Sequence, residues 1–168
     1  GARAKERRCG MRVGIGYDIH RLVEERKLFL GGVEIPYVKG LISHTDGDVV
    51  LHAIADAILG ALALGDIGQH FPDSDPGYKN MPSSDILQRV ARLLAQKNFV
   101  IGNIDTTIIA EEPKIHPFKD KMVESIANIL GIDRSKINIK ATTNEGVGSI
   151  GKGDAIAAYA VATLESKT

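Results

Sequence analysis

Asp18 and His20 stand two residues apart in the segment Gly16-Tyr-Asp-Ile-His20. In a strand, side chains two apart share a face, so this carboxylate and imidazole can converge on one ion. Strand ends also carry Asp and His for turn hydrogen bonding, so the pair does not decide the matter alone. His52 adds a third donor. It lies among Val50, Leu51, Ala53 and Ile54, where a buried ring needs a polar partner. Asp48, His52 and Asp56 fall four apart, a polar stripe on an otherwise apolar helix. Two readings are open: a core histidine hydrogen-bonded to Asp48 or Asp56, or a metal ligand oriented by a nearby carboxylate. Two His and one Asp suit zinc with an open fourth position, the pattern of catalytic sites. Cys9 is the only cysteine, so disulfides and Cys-based zinc sites are excluded.

Three further segments carry polar chemistry. His44-Thr-Asp-Gly-Asp48 reads as a capping turn, or as a set of donors to a phosphate at a helix N-terminus. Thr142-Thr-Asn-Glu145 offers two hydroxyls and a carboxylate leaving a strand, groups able to hold a phosphate and a hard cation. Gly146 to Gly153 nearly spells a P-loop, but position 153 is glycine where Ser or Thr is required. The residues after Gly153 read as a strand rather than the helix a P-loop opens.

The elements that must position these groups are read from periodicity. Arg12 to Ile19 reads as a strand, and Lys27 to Ile35 as a hairpin folded at Gly31-Gly32. Lys39-Gly40 and His44 to Asp48 read as loop, leading into a helix over about Val49 to Leu64 capped by Asp46 or Asp48. Gly65 to Pro76 is turn-rich. Ser83 or Ser84 should cap a second helix carrying Ile86, Leu87, Val90, Leu93 and Leu94 at helical spacing. Then come a strand over Ile104 to Ala110, a helix over Pro117 to Leu130 stopped by Gly131, and strands over Ile137 to Thr143 and Ala155 to Leu164. Three helices can cover one face of such a sheet but hardly both. The uncovered face needs another partner, and Ala158, Ala160 and Ala162 would let one approach closely, so oligomerisation is expected.

Composition bounds the function. With 43% hydrophobic and 25% charged residues, the 168-residue chain is globular and long enough for one domain with a sizeable core. The longest apolar stretch, within Val49 to Leu64, is broken by His52 and Asp56, so no membrane span is expected. Gly1 to Gly10 carries four basic residues against Glu6 and reads as a leader or expression scar, with 11–168 as the domain. The remainder holds 17 basic and 20 acidic residues, which gives no electrostatic reason for nucleic-acid binding.

Taken together, G-Y-D-I-H, L-G-G-V-x-I-P, H-T-D-G-D-V-x-L-H, G-D-I-G-x-x-F-P-D-S-D-P, I-I-A-E-E-P-K and K-A-T-T-N-E resemble the 2-C-methyl-D-erythritol 2,4-cyclodiphosphate synthase family. The six motifs run in register from Met11 to about Thr163. The resemblance implies an α/β (α+β) fold, a small mixed sheet with helices on one face, assembled around a three-fold axis as a homotrimer with active sites between subunits. It implies cyclisation of 4-diphosphocytidyl-2-C-methyl-D-erythritol 2-phosphate with expulsion of CMP, in the bacterial cytoplasm or a plastid. It puts Zn²⁺ or another divalent ion on Asp18, His20 and His52, and Mg²⁺ or Mn²⁺ on Glu145.

The same resemblance implies that His44 and Thr143 stabilise the transition state, with Thr45 as a hydroxyl donor. Asp66, Ile67 and Gly68, with Phe71, Pro72, Asp73, Ser74 and Asp75, would hold the methylerythritol phosphate. Ala110, Glu111, Glu112, Pro113, Lys114, Ile115 and His116, with Thr142, Thr143, Asn144 and Glu145, would form the cytidine diphosphate pocket. Ser149 and Lys152 stand where many members have an aromatic residue and an arginine, near the substrate and the trimer-axis cavity. Lysine lacks arginine's bidentate contact, so isoprenoid diphosphate binding in that cavity is not carried over. The rival readings are a zinc phosphohydrolase and a non-catalytic nucleotide- or isoprenoid-binding trimer.

Overall fold

The structure, a computed structural model, describes residues 10–167. The leader, apart from Gly10, lies outside the described residues. Chain order is β1 (Met11–Glu24), β2 (Leu28–Leu30), β3 (Val33–Ile35), β4 (Lys39–Leu41), α1 (Val49–Ala61), α2 (Ile67–His70), α3 (Ser83–Gln96), β5 (Phe99–Ile109), α4 (Lys119–Leu130), β6 (Ile137–Thr142), α5 (Gly148–Gly151) and β7 (Ala155–Ser166). Five strands form one mixed sheet in the order β4-β1-β7-β5-β6, with only β5 and β6 parallel. The expected α/β architecture is therefore observed. The hairpin β2-β3 turns at Gly31 and Gly32, whose φ values of 62° and 77° are the left-handed geometry that tight hairpin turns demand.

One loop reading is corrected. Lys39-Gly40 is not loop but part of β4, which pairs with the end of β1 through Leu22, Val23 and Glu24. Three residues are too few for alternation to show in sequence. The glycine-rich 146–153 segment holds the single turn α5, and is followed by β7 as expected.

Helix α1 is buried on nearly every side because it lies between the sheet and α3. Its seat on β1 requires glycine. A Cβ on Gly14 would strike the Ala57 carbonyl, and one on Gly16 the Ala53 carbonyl. This close approach brings His52, one residue before Ala53, down beside Asp18 and His20. Gly16→Ala is expected to lift the helix and destabilise the fold by about 1–3 kcal/mol, the usual range for overpacking. Chemical denaturation checks the stability, and a metal-affinity titration of the same variant should show weaker binding.

Asp48 anchors the other end. Wholly buried, it caps α1 by accepting from the Val50 and Leu51 amides, both at 3.1 Å. It also accepts from Gly31 and Gly32 at 2.9 and 2.7 Å, so one carboxylate ties the hairpin turn to the helix start. Burial pushes this carboxyl above its ordinary range, against the pull of those donors.

Among the described residues, no helix covers the opposite sheet face. Met11, Val13, Ile15, Tyr17 and Ile19 of β1 lie exposed there beside Tyr159 and Val161 of β7. Tyr17 and Tyr159 are cross-strand partners with ring centroids 4.8 Å apart. The uncovered face is as expected, but its residues are not. Ala158, Ala160 and Ala162 pair with Asp18, Gly16 and Gly14 and are buried on the α1 side. Strand alternation gives the two faces but not which one the helices take.

Candidate active site and metal centre

Strand β1 delivers Asp18 and His20 on one face, toward the side of α1 that carries His52. Asp18 Oδ2 lies 3.0 Å from His52 Nδ1 and 3.1 Å from His20 Nε2. One ligand atom from each of the three lies within 4.8 Å of the others. A carboxylate oxygen and two ring nitrogens converging this closely match the donor chemistry of a divalent ion such as zinc. Asp18 and His20 are half-buried and His52 is buried, which leaves one side open.

Burial alone would raise the Asp18 carboxyl, but hydrogen bonds to His20 and His52 outweigh it and hold the group below its ordinary range. Burial alone would lower His52, and the Asp18 carboxylate outweighs that and raises it. The two shifts describe one attraction seen from both partners.

The expected partners of His52 need correction. Neither Asp48 nor Asp56 bonds its ring. Asp48 is occupied by the four backbone donors already described, and Asp56 accepts from the Ile67 amide at 2.8 Å, fixing the start of α2. The far nitrogen, Nε2, instead meets Ser83 Oγ at 2.8 Å and Thr45 Oγ1 at 3.4 Å. Ser83 is not the helix cap either. Pro82 occupies that position in α3, and the Ser83 hydroxyl turns to Asp46. Sequence reading missed this pairing because a serine ahead of an apolar run signals a cap more often than a bridge to a loop 37 residues away.

The ligand group opens into a cavity of about 330 Å³. His44 and Thr45 line it on one side, and Ile67, Gly68, Phe71 and Asp73 on another. His44 Nε2 lies 3.8 Å from Asp73 Oδ2, across the mouth between the two expected phosphate-holding segments. Asp66 does not line the cavity; it forms a capping box with Gln69 at the head of α2. Pro72, Ser74 and Asp75 complete the neighbouring turn, where Asp75 accepts from the Gly77 amide at 2.8 Å. Tyr78, Lys79 and Ile86 also line the cavity; the first two were not singled out from sequence, and Ile86 was read only as part of the apolar face of its helix. Lys79 comes directly after a turn and carries no periodic signal, so nothing in its local sequence marks it.

Most of the remaining expected residues gather at or beside a second cavity of about 300 Å³. Ala110, Glu111, Pro113 and Lys114 line it with Ile115, His116, Thr142 and Thr143. Glu111 Oε1 accepts from the Asn144 and Gly146 amides at 2.7 and 3.4 Å, joining the two segments. Glu112 and Asn144 flank this cavity rather than lining it, and Glu145 stands exposed beside it at φ 52°, its amide donating to Thr143 Oγ1. Ser149 lines a third hollow with Ile19, His20 and Arg21, and Lys152 is exposed at the end of α5.

Across the sheet, Ile19 pairs with Ala157, Ala157 with Ile109, and Ile109 with Thr142. At ~4.8 Å per strand, Thr142 stands roughly 14 Å from Ile19. One chain therefore holds the two groups at the same end of the sheet but in separate cavities.

This fold and this ligand group define an α/β enzyme domain able to hold a divalent cation beside an open cleft. The family model described as "YgbB family" matches residues 11–165. A protein of Alkaliphilus metalliredigens named 2-C-methyl-D-erythritol 2,4-cyclodiphosphate synthase is 59% identical over 154 residues, covering 92% of this chain and 97% of its own. The structure titled "IspF (Plasmodium falciparum) CDP complex" superposes with a TM-score of 0.84 at 40% identity, over 95% of this chain and 98% of that one. The bifunctional IspDF from Campylobacter jejuni gives a TM-score of 0.91 at 40% identity, over 94% of this chain and 43% of that longer chain. The chain belongs to the YgbB family, the 2-C-methyl-D-erythritol 2,4-cyclodiphosphate synthases, and is an enzyme of isoprenoid biosynthesis.

Proposed function

We propose that the chain converts 4-diphosphocytidyl-2-C-methyl-D-erythritol 2-phosphate into 2-C-methyl-D-erythritol 2,4-cyclodiphosphate and CMP. The observation that carries this reading is the Asp18, His20 and His52 group opening into a cleft lined by His44, Thr45 and the 67–73 segment. An oxygen of the 2-phosphate attacks the β-phosphorus, the new P–O bond closes the ring, and the β-P–O bond to CMP breaks with its electron pair. The nucleophile is already ionised at neutral pH, so no strong base is required. The protein must fold the substrate back on itself and meet the charge that develops at phosphorus.

Asp18, His20 and His52 would hold a zinc-like ion, and Glu145, as a single carboxylate beside substrate phosphates, a Mg²⁺ or Mn²⁺ ion, both supplying Lewis-acid polarisation of the diphosphate. His44 and Thr143 offer donors to the phosphoryl oxygens, and Thr45 offers a hydroxyl. Gly68 and Ile67, presented at the head of α2, hold the methylerythritol phosphate end with the 71–75 turn. The 110–116 and 142–145 segments hold the cytidine diphosphate end, and Ser149 lies beside His20 on the substrate's flank.

The two halves meet in a homotrimer, the metal half from one subunit and the nucleotide half from its neighbour. Their separate cavities, and the exposed apolar face of β1 and β7, support this assembly. Among the described residues no helix is long and apolar enough to cross a membrane, and a bacterial cytoplasm, or a plastid in a eukaryotic host, is the proposed location.

The test is an assay for CMP and cyclic diphosphate in ¹⁸O-labelled water. Cyclisation yields a sugar product free of solvent oxygen. Incorporation of solvent oxygen would make the enzyme a hydrolase, and CDP binding without turnover, both ions supplied, would make it a binding protein.

Glu145→Gln separates the two ions. Zinc content should remain at one per chain while turnover collapses and loses its response to added Mg²⁺ or Mn²⁺, because a neutral amide is a poor ligand for a hard cation. Retention of the unaltered Mg²⁺ dependence in that variant would move the role to another residue.

A further inference from the structure

We infer that Arg26 is a positioning residue for the reaction: its guanidinium holds the backbone that presents His44 and Thr45 to the cleft. The inference rests on the cyclisation reading for what that loop does. Residues 42–48, between β4 and α1, belong to no helix or strand, so no ladder of backbone bonds fixes them. One side chain supplies much of what is missing. Arg26 Nε donates to the Leu41 carbonyl at 2.6 Å. One of its terminal nitrogens donates to the Thr45 carbonyl at 2.7 Å and to that of Ser43 at 3.4 Å. Residues 41, 43 and 45 are thus tied to one planar group. The carbonyl of His44, between the last two, accepts from the Asn80 amide at 2.8 Å.

The local chain explains why an arginine reaches this loop. It reverses at Glu25, whose φ of 59° is left-handed, and Arg26 returns against β4. Gly40 permits that approach, since a Cβ there would strike the Arg26 and Lys27 carbonyls. From this position the half-buried guanidinium spans carbonyls four residues apart. A planar fork of N–H donors can do so, whereas lysine's single ammonium lacks that geometry. With its carbonyls turned to Arg26, the loop offers side chains to the other side: His44 and Thr45 line the metal cavity and Arg26 does not. Arg26 lies instead at a separate hollow of about 260 Å³, with Glu34, Pro36 and Tyr37. It therefore acts through the loop and touches no substrate. Donors aimed at the charge developing on phosphorus lose their effect steeply when displaced, so a loop free to shift costs rate more than binding.

Arg26→Ala is expected to lower kcat for CMP release by ~10–100-fold with KM little changed, the pattern of an interaction made in the transition state. Arg26→Lys keeps the charge without the fork and should recover only part of the rate. Free guanidinium, well below denaturing levels, should raise kcat of Arg26→Ala but not of the unaltered chain, because the vacated position opens to the surface hollow. Sodium chloride at the same ionic strength should not. Zinc content should stay at one per chain, since none of the three ligands belongs to the loop. Amide hydrogen exchange should quicken at residues 43–47 of Arg26→Ala and stay unchanged in β5 and β7, with circular dichroism as the check on the fold. In the unaltered chain, the Arg26 Nε–H should give a slowly exchanging resonance coupled through its hydrogen bond to the Leu41 carbonyl, a measurement that needs no variant. A folded Arg26→Ala chain with undiminished kcat, a loss that guanidinium does not relieve, or a rapidly exchanging Nε–H would overturn the positioning role. An unaltered chain that releases no CMP would overturn the cyclisation reading instead, and the exchange and Arg26 signals would then decide by themselves whether Arg26 anchors the loop.

Discussion

His52→Ala is expected to lose the ion held with Asp18 and His20 and to abolish CMP release, while the chain still folds. Two ligands of three remain, both on β1, and neither has a donor facing it from the helix. The loss in affinity should exceed the ~10–100-fold that results from removing a mere outer partner of a ligand. The fold should survive because the Ser83 hydroxyl keeps Asp46 as its partner, and because the helix is held by its apolar faces and by Asp48. Elemental analysis of the purified variant gives the metal content, and circular dichroism the fold. Full zinc occupancy in a folded, inactive His52→Ala chain would remove the ion from this site.

Complementation between two inactive variants probes the shared site. His52→Ala chains and Glu145→Gln chains should each be dead alone. If one subunit supplies the metal half and its neighbour the nucleotide half, random equal mixing leaves about a quarter of interfaces with both halves intact. In any trimer purified for containing both variants, one interface of the three is intact, so activity should approach a third of the unaltered enzyme. Co-expression with two affinity tags, tandem purification and a CMP-release assay give the answer. Verified mixed trimers as inactive as either parent would place both halves within one chain. The structure makes the outcome informative: the ~14 Å between Ile19 and Thr142, across three strand spacings, keeps the two cavities apart in a single subunit.

Much of the candidate site is legible in the sequence because its cues are local. Strand alternation places Asp18 and His20 on one face, and the helical run around His52 marks that ring as an intruder needing a polar role. The Gly31-Gly32 pair marks a tight hairpin, and Asp48 ahead of Val49 marks a helix start; all four appear as expected. The order of strands and helices likewise announces a sheet with too few helices to cover both sides.

What only the tertiary structure decides is which groups meet across the chain. The partner of His52 is not a carboxylate one turn away on its own helix but Asp18 on a strand and Ser83 on another helix. Asp48 reads as a cap, yet it also holds the hairpin turn 16 and 17 residues earlier. The alanines of β7 look made for a neighbouring subunit, but α1 takes that face, since only there do Gly14 and Gly16 allow a helix backbone so near the sheet. Periodicity reports a residue's own element and which face it shares. Long-range contacts depend instead on how whole elements pack, and a side chain with two possible partners reveals its choice only when both are in place.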